Sequence, residues 1–142
     1  MLARIQSHLR GEISGPPVAG LIGFKLTAIA PGEATITLAT GPQHANPMGT
    51  LHGGILCDIA DAAMGLAYAS NLAEGETFTT LELKMSFIRP VWTGKLRAEG
   101  RVLDGGRTIG LVECHIRDAR DRLVAHATST CMTLRGEQAA GR

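Results

Sequence analysis

Polar side chains are densest between residues 44 and 54, where His44, Asn46, Thr50 and His52 run into Gly53-Gly54. The stretch that follows is rich in alanine, and Ile55, Ile59, Ala62, Ala63 and Leu66 recur at helical spacing. The first turn of such a helix presents unpaired N–H groups and a partial positive charge. Two glycines there let a ligand come close to the backbone. This arrangement suits an oxyanion or a phosphate; the bland alternative is a helix entry capped by Thr50 or a neighbour. Asp58 and Asp61 then interrupt the apolar helix, where a carboxylate is costly unless it is paired, hydrogen-bonded or used.

Asp61 follows Gly54 by seven residues. That puts both on one face, about 20° short of two full turns, but roughly 10 Å apart along the axis. A base and an oxyanion hole acting on one carbonyl must each lie about 3 Å from the reacting atoms. Within one subunit they are too far apart. If both act together, the helix start of one subunit must meet Asp61 of another, as two antiparallel helices side by side allow. Ala60, Ala63, Gly65 and Ala67 permit that close approach. A two-fold dimer is thus a requirement of the mechanism.

The remaining candidates have plainer readings. Asp58 fits a charge favoured by the helix dipole better than a partner for Asp61. Glu82 and Lys84 alternate on one strand face as solvated or interface charges. His115 and His126 sit in β runs without metal-ligand spacing and read as structural histidines, so no metal site is expected. Cys57, Cys114 and Cys131 lack Cys-x-x-Cys spacing, lie among apolar residues and read as packing.

These residues need elements to hold them. Leu2 to Leu9 reads as a short helix, closed by Gly11 and the breakers Gly15, Pro16 and Pro17. Strand-like runs from Phe24 to Ile29 and Ala34 to Ala39 flank Pro31-Gly32, a hairpin signal. After the Gly/Pro/Asn-rich loop and the helix, the second half is β. Phe78 to Ile88 comes first. Leu96 to Leu103 follows, with Leu96, Ala98, Gly100 and Val102 alternating against Arg97, Glu99 and Arg101. Gly105-Gly106 turns the chain into Thr108 to Ile116, and Leu123 to Leu134 is the last strand. The expected architecture is α+β, one antiparallel sheet laid over one buried helix. The tail from residue 135 to 142 is expected to be disordered.

Length and composition agree. A chain of 142 residues favours one domain with a real core, and 44% hydrophobic against 19% charged residues argues against disorder. Aromatics at 4% argue against a base-stacking surface, and a net charge of +1 argues against a phosphate-tracking face. No nucleic-acid partner is expected. MLARIQSHLR lacks the apolar core of a secretory signal, and no run approaches a membrane span. A cytoplasmic compartment is the plain reading.

The stretch Asn46-Pro47-Met48-Gly49-Thr50-Leu51-His52-Gly53-Gly54, followed by Asp61, resembles the signature of hotdog-fold acyl-CoA thioesterases of the phenylacetic-acid-degradation type. Thr79 to Pro90, the Gly106-Arg107-Thr108 turn and Arg122 to Thr128 fit the same family, so the likeness runs from about residue 18 to 134. The resemblance implies a sheet wrapped round the 53-to-71 helix, and dimers that often pair into tetramers. It also implies hydrolysis of an acyl-CoA to a carboxylic acid and CoA with no metal or cofactor, CoA being part of the substrate. By position, Asp61 activates water or attacks the thioester, while Asn46 and the Gly53 N–H of the opposite subunit polarise its oxygen. Thr80 helps hold the water; it is a threonine where relatives can have serine. His52 shapes the loop or hydrogen-bonds near the leaving sulfur. Arg89 and Arg107, at strand ends or turns, are where CoA phosphates could be held, with surface solubility as the competing reading. Met48 and Met64 could line an acyl pocket or fill the core. Two other functions compete: a hotdog-fold dehydratase, whose loop pattern is absent, and a non-catalytic acyl-CoA binding module, which could dispense with Asp61.

Overall fold

The computed structural model describes residues 1–140. Two short helices, α1 (Leu2–Leu9) and α2 (Pro17–Ile22), precede a hairpin of β1 (Lys25–Ala30) and β2 (Glu33–Thr40). A single 3-10 turn, Pro42–His44, leads through the polar loop into the long helix α3 (Gly53–Ala69). Four strands follow: β3 (Thr77–Phe87), β4 (Gly94–Gly105), β5 (Ile109–Asp118) and β6 (Leu123–Leu134). They form one six-stranded sheet in the order β1-β2-β4-β5-β6-β3, every neighbouring pair antiparallel. This is the α+β arrangement that the pattern predicts, and it is hotdog-like as the resemblance implies.

The inward face of the sheet follows the period-two alternation. Leu96 and Ala98 of β4, Val112, Cys114 and Ile116 of β5, and Ala125 and Ala127 of β6 are all buried against Ile59, Ala63 and Met64 of α3. Gly100 is where the helix comes closest: a side chain there would meet the Ala63 carbonyl carbon at 2.5 Å. The helix end is anchored as well. Ser70 Oγ donates to the Ala67 carbonyl and accepts the Gly32 N–H, tying the β1–β2 turn to α3.

One bulge in β3 decides what faces the helix. Thr80 pairs with Cys131 and Glu82 with Thr130, so Leu81 is an extra residue in the ladder. An extra residue reverses the parity of the strand. Phe78 and Thr80 therefore face α3 before the bulge, and Leu83, Met85 and Phe87 face it after the bulge. Glu82 and Lys84 are left on the outer face as expected.

Two sequence expectations need correction. Pro16-Pro17 does not merely break the first helix; Pro17 begins α2, whose end is Gly23 in a left-handed conformation at φ 91°. Proline is pre-organised for a first helical position, so the same residues that stop one helix start the next. The tail is not wholly irregular either: Gly136–Ala139 forms a 3-10 turn, and Arg135 Nε donates to Glu76 at 2.6 Å. Residues 141 and 142 lie outside the described residues.

Candidate active site

The loop before α3 is built around two side chains. Asn46 Oδ1 accepts the backbone N–H groups of Met48 and Thr50, and Asn46 Nδ2 donates to Thr50 Oγ1 at 2.8 Å. Gly49 completes the turn at φ 81°, its N–H on the Asn46 carbonyl. His44 is buried at 4% exposure; its Nδ1 accepts the Gly41 N–H, and its Nε2 lies 2.8 Å from the Ile22 carbonyl, which it can only donate to. That bond ties the loop to the end of α2. His44, read at first only as one of several loop polar groups, is thus a structural tether.

The helix cap is His52, not Thr50. Its Nδ1 accepts the Gly54 N–H at 2.9 Å, which puts the proton of the neutral ring on Nε2. The Ile55 N–H is taken by the His52 carbonyl. Among the described residues this leaves the Gly53 N–H as the first-turn donor without a partner. The Phe87 ring packs against Gly53 on its Cα side: a side chain at position 53 would meet Phe87 Cζ at 2.9 Å.

Farther along α3, Asp61 projects to an open side of the fold. Thr80 Oγ1 donates to its Oδ1 at 3.0 Å. The β3 bulge thus has a direct consequence, because it aims Thr80 at this carboxylate. Beside the pair lies a cavity of about 340 Å³, walled by Ala19 of α2, Phe24 and Leu26 at one sheet edge, Leu66 of α3, and Phe78 at the other edge. Both edge strands line it, so it fills the gap where the sheet curls round the helix without closing. Asp58, Asp61 and Thr80 supply its polar groups on this side, and His8 of α1 reaches it from the N-terminal segment.

Asp58 corrects the helix-dipole reading. It stands beyond the first turn and lines the cavity with Asp61. Burial, and next the charge of Asp61, push its carboxyl above the usual range. A carboxyl raised in the fold carries a penalty fully present above its folded pKa and absent below its unfolded pKa. Asp58→Asn should therefore raise the unfolding midpoint at neutral pH. The gain should fade as pH falls through the ordinary aspartate range, which thermal scans at pH 7 and pH 3.5 would compare; an equal gain at both would rule this account out.

Of the expected site residues, the fold brings two groups together but not all five. Asn46, His52 and Gly53 cluster at the start of α3, and Asp61 with Thr80 forms a second group. The helix between them is unbroken, so Gly53 and Asp61 stay about 12 Å apart along it. Arg89 follows β3 at the loop end of the helix, where the Leu51 N–H bonds the Val91 carbonyl. Arg107 sits in the β4–β5 turn, its carbonyl accepting from the Arg135 guanidinium at 2.6 Å; that turn lies at the other end, where Gly110 packs on Tyr68 of α3. Neither methionine lines the cavity: Met64 is core at 1% exposure and Met48 is 81% exposed. Burial disfavours the nucleophilic thiolate at Cys57, Cys114 and Cys131 alike. Burial pushes Cys114 up to about 12 and Cys131, behind Thr80, up to about 11. Sequence reasoning missed Gly65, Leu66 and Phe78 as cavity residues, and weighed Asp58 beside Asp61 only to prefer the helix-dipole reading. Asp58 and Gly65 share a helical face with Asp61, three residues before it and four after it, and Leu66 follows the cavity residue Ala62 by four, a signal legible in the spacing.

Residues 48–125 match the Thioesterase superfamily. A Saccharolobus solfataricus protein provisionally named as an esterase is 32% identical over 114 residues, covering 80% of this chain and 81% of the relative. The 1,4-dihydroxy-2-naphthoyl-CoA hydrolase of Listeria monocytogenes is 23% identical over 109 residues, covering 77% and 89%. Among solved structures, a phenylacetic acid degradation-related protein of Ralstonia eutropha JMP134 superposes with a TM-score of 0.82 at 32% identity, covering 89% and 97%.

Proposed function

Because this chain belongs to the thioesterase superfamily and is a thioester hydrolase, we propose that its substrate is an acyl- or aryl-CoA, cleaved to the free acid and CoA. The observation that carries this reading is the Thr80–Asp61 hydrogen bond at the wall of an apolar cavity. The acyl or aryl group enters that cavity, which places the thioester carbonyl beside Asp61. With Thr80 holding Oδ1, the second oxygen of Asp61 takes a proton from water as the water attacks, or attacks the carbonyl itself. Charge develops on the carbonyl oxygen and needs donors within about 3 Å. The Gly53 N–H and the Asn46 amide, which has one hydrogen not used by Thr50, are the donors. The leaving thiolate departs past His52, whose Nε2–H can meet it.

These donors come from a second copy. The distance along α3 argues for this, and β3 offers the means. It is an edge strand with one side unpaired, and Leu81 at its bulge, Phe87 at its end and Ile88 just after it are half exposed or more. Pairing β3 to β3 about a two-fold axis sets the two α3 helices antiparallel, with the start of each beside the middle of the other. The same symmetry carries Arg107 of one chain toward the end occupied by Arg89 of its partner, so both can serve the CoA phosphates.

The test is a panel of short, long and aromatic acyl-CoAs with a thiol reagent that reports free CoA. Release with at least one acyl class is expected. Binding without release would make the protein an acyl-CoA binding module instead. Asn46→Ala and Asp61→Ala, each inactive alone, should regain activity when their subunits are exchanged; no recovery after verified exchange would sink the shared site.

A further inference from the structure

The face of the sheet turned away from α3 carries a polar cluster that thioester hydrolysis does not use. Val112, Cys114 and Ile116 of β5 point inward and are fully buried, so Glu113 and His115 point outward. The register sets His126 of β6 directly opposite His115. Side chains so opposed start from Cβ atoms about 5 Å apart, and here the two rings lie with centroids 4.8 Å apart. Glu113, two residues before His115 on the same face, places Oε2 3.2 Å from His126 Nε2. One ligand atom from each of the three lies within 4.8 Å of the other two. Two imidazoles and a carboxylate are the donor set that borderline divalent ions prefer.

We propose that Glu113, His115 and His126 form a binding site for a divalent transition-metal ion of the zinc class, on the outer face of the sheet and separate from the hydrolytic centre. The three ligands stand on the two adjacent strands β5 and β6, so little backbone freedom is lost when they close on an ion. Arg101 of β4 donates to Glu113 Oε1, which turns Oε2 toward the histidines. A hydrogen bond to the far oxygen of a liganding carboxylate is a common orienting device. The positive charge of Arg101 opposes a cation at the same time, so binding is expected to be reversible. Water completes the coordination. Bound metal would clamp β5 to β6 through side chains and raise the unfolding midpoint.

The experiment uses the full chain without a histidine tag, stripped with a chelator and titrated with Zn2+ by calorimetry, and in parallel with Co2+ followed by its visible absorption. One equivalent per chain is expected, with a rise in the unfolding midpoint. His115→Ala and His126→Ala should each weaken binding by about tenfold or more, whereas His52→Ala should leave it unchanged. Circular dichroism of each variant reports whether it has folded, and His115→Ala carries the test if His126→Ala does not fold. Absence of saturable binding overturns the proposal, as does equal affinity in the His115 variant. The cluster would then be a hydrogen-bonded patch held by Arg101.

Discussion

Replacing Asp61 by asparagine is expected to lower kcat for CoA release by about 10³-fold or more while leaving KM and the unfolding midpoint close to those of the wild type. Stability is spared because Asp61 is exposed and its hydrogen-bond partner is the Thr80 hydroxyl. Asparagine keeps an oxygen to accept that bond in nearly the same shape. What it cannot do is take a proton from water or attack a carbonyl. A thousandfold loss corresponds to about 4 kcal/mol of transition-state stabilisation, more than the roughly 3 kcal/mol expected for one lost oxyanion donor such as Asn46. KM holds because acyl binding rests on the apolar walls, Phe24, Leu26, Leu66 and Phe78, none of which the substitution touches. Steady-state kinetics with the best substrate of the panel would measure this. Activity within tenfold of the wild type would remove Asp61 from the chemistry and direct attention to Asp58, the other carboxylate of the cavity.

Much of the scaffold that positions Asp61 is legible in the residues, for identifiable reasons. The strand Leu123–Leu134 and the start of α3 at Gly53 are read correctly because polar turns or glycines bound strong apolar patterns. The same local reasoning fails where a residue has two meanings. Pro17 is a breaker for the chain before it and a pre-organised first residue for the chain after it, and the helix it begins supplies one wall of the cavity. Other features exist only once register is set. The Leu81 bulge leaves no mark in the Thr79–Ile88 pattern, yet it alone lets Thr80 face the helix together with Leu83 and Met85. His115 and His126 are far apart by ligand-spacing rules and become direct neighbours through the β5–β6 ladder. Asn46 is legible as a polar group of the loop, and its chemical role comes from the resemblance; its role in folding the loop, with Oδ1 and Nδ2 both engaged, follows from a turn that spacing does not reveal.

The most destabilising small substitution should be Gly100→Ala. Alternation along β4 marks position 100 as inward, which for any other strand would invite an apolar side chain. Here the added carbon would stand 2.5 Å from both the carbonyl carbon and oxygen of Ala63 and 2.7 Å from the Met64 nitrogen. These are backbone atoms of α3, so no rotamer change can relieve the clash. The helix cannot slide away cheaply, because Ala63, Met64, Ala98 and Cys114 are all packed with 1% exposure or less. Overpacking usually costs about 1–3 kcal/mol, and a backbone obstacle on a buried helix belongs at the upper end or beyond. Against a typical total of about 5–15 kcal/mol, that is a large share. Gly65→Ala is the contrast: its added carbon meets the Phe78 ring at 3.1 Å, a side chain that can turn into the cavity beside it. Urea unfolding should therefore show a fall of about 3 kcal/mol for Gly100→Ala and much less for Gly65→Ala. The loss should also reach catalysis. Pushing α3 off the sheet at Ala63 moves Asp61, two residues earlier, away from Thr80, and a 3.0 Å hydrogen bond does not survive a shift of an ångström. Folded Gly100→Ala protein should thus be slow as well as unstable. If it unfolds within about 1 kcal/mol of the wild type, the close helix–sheet contact is not what holds the carboxylate in place.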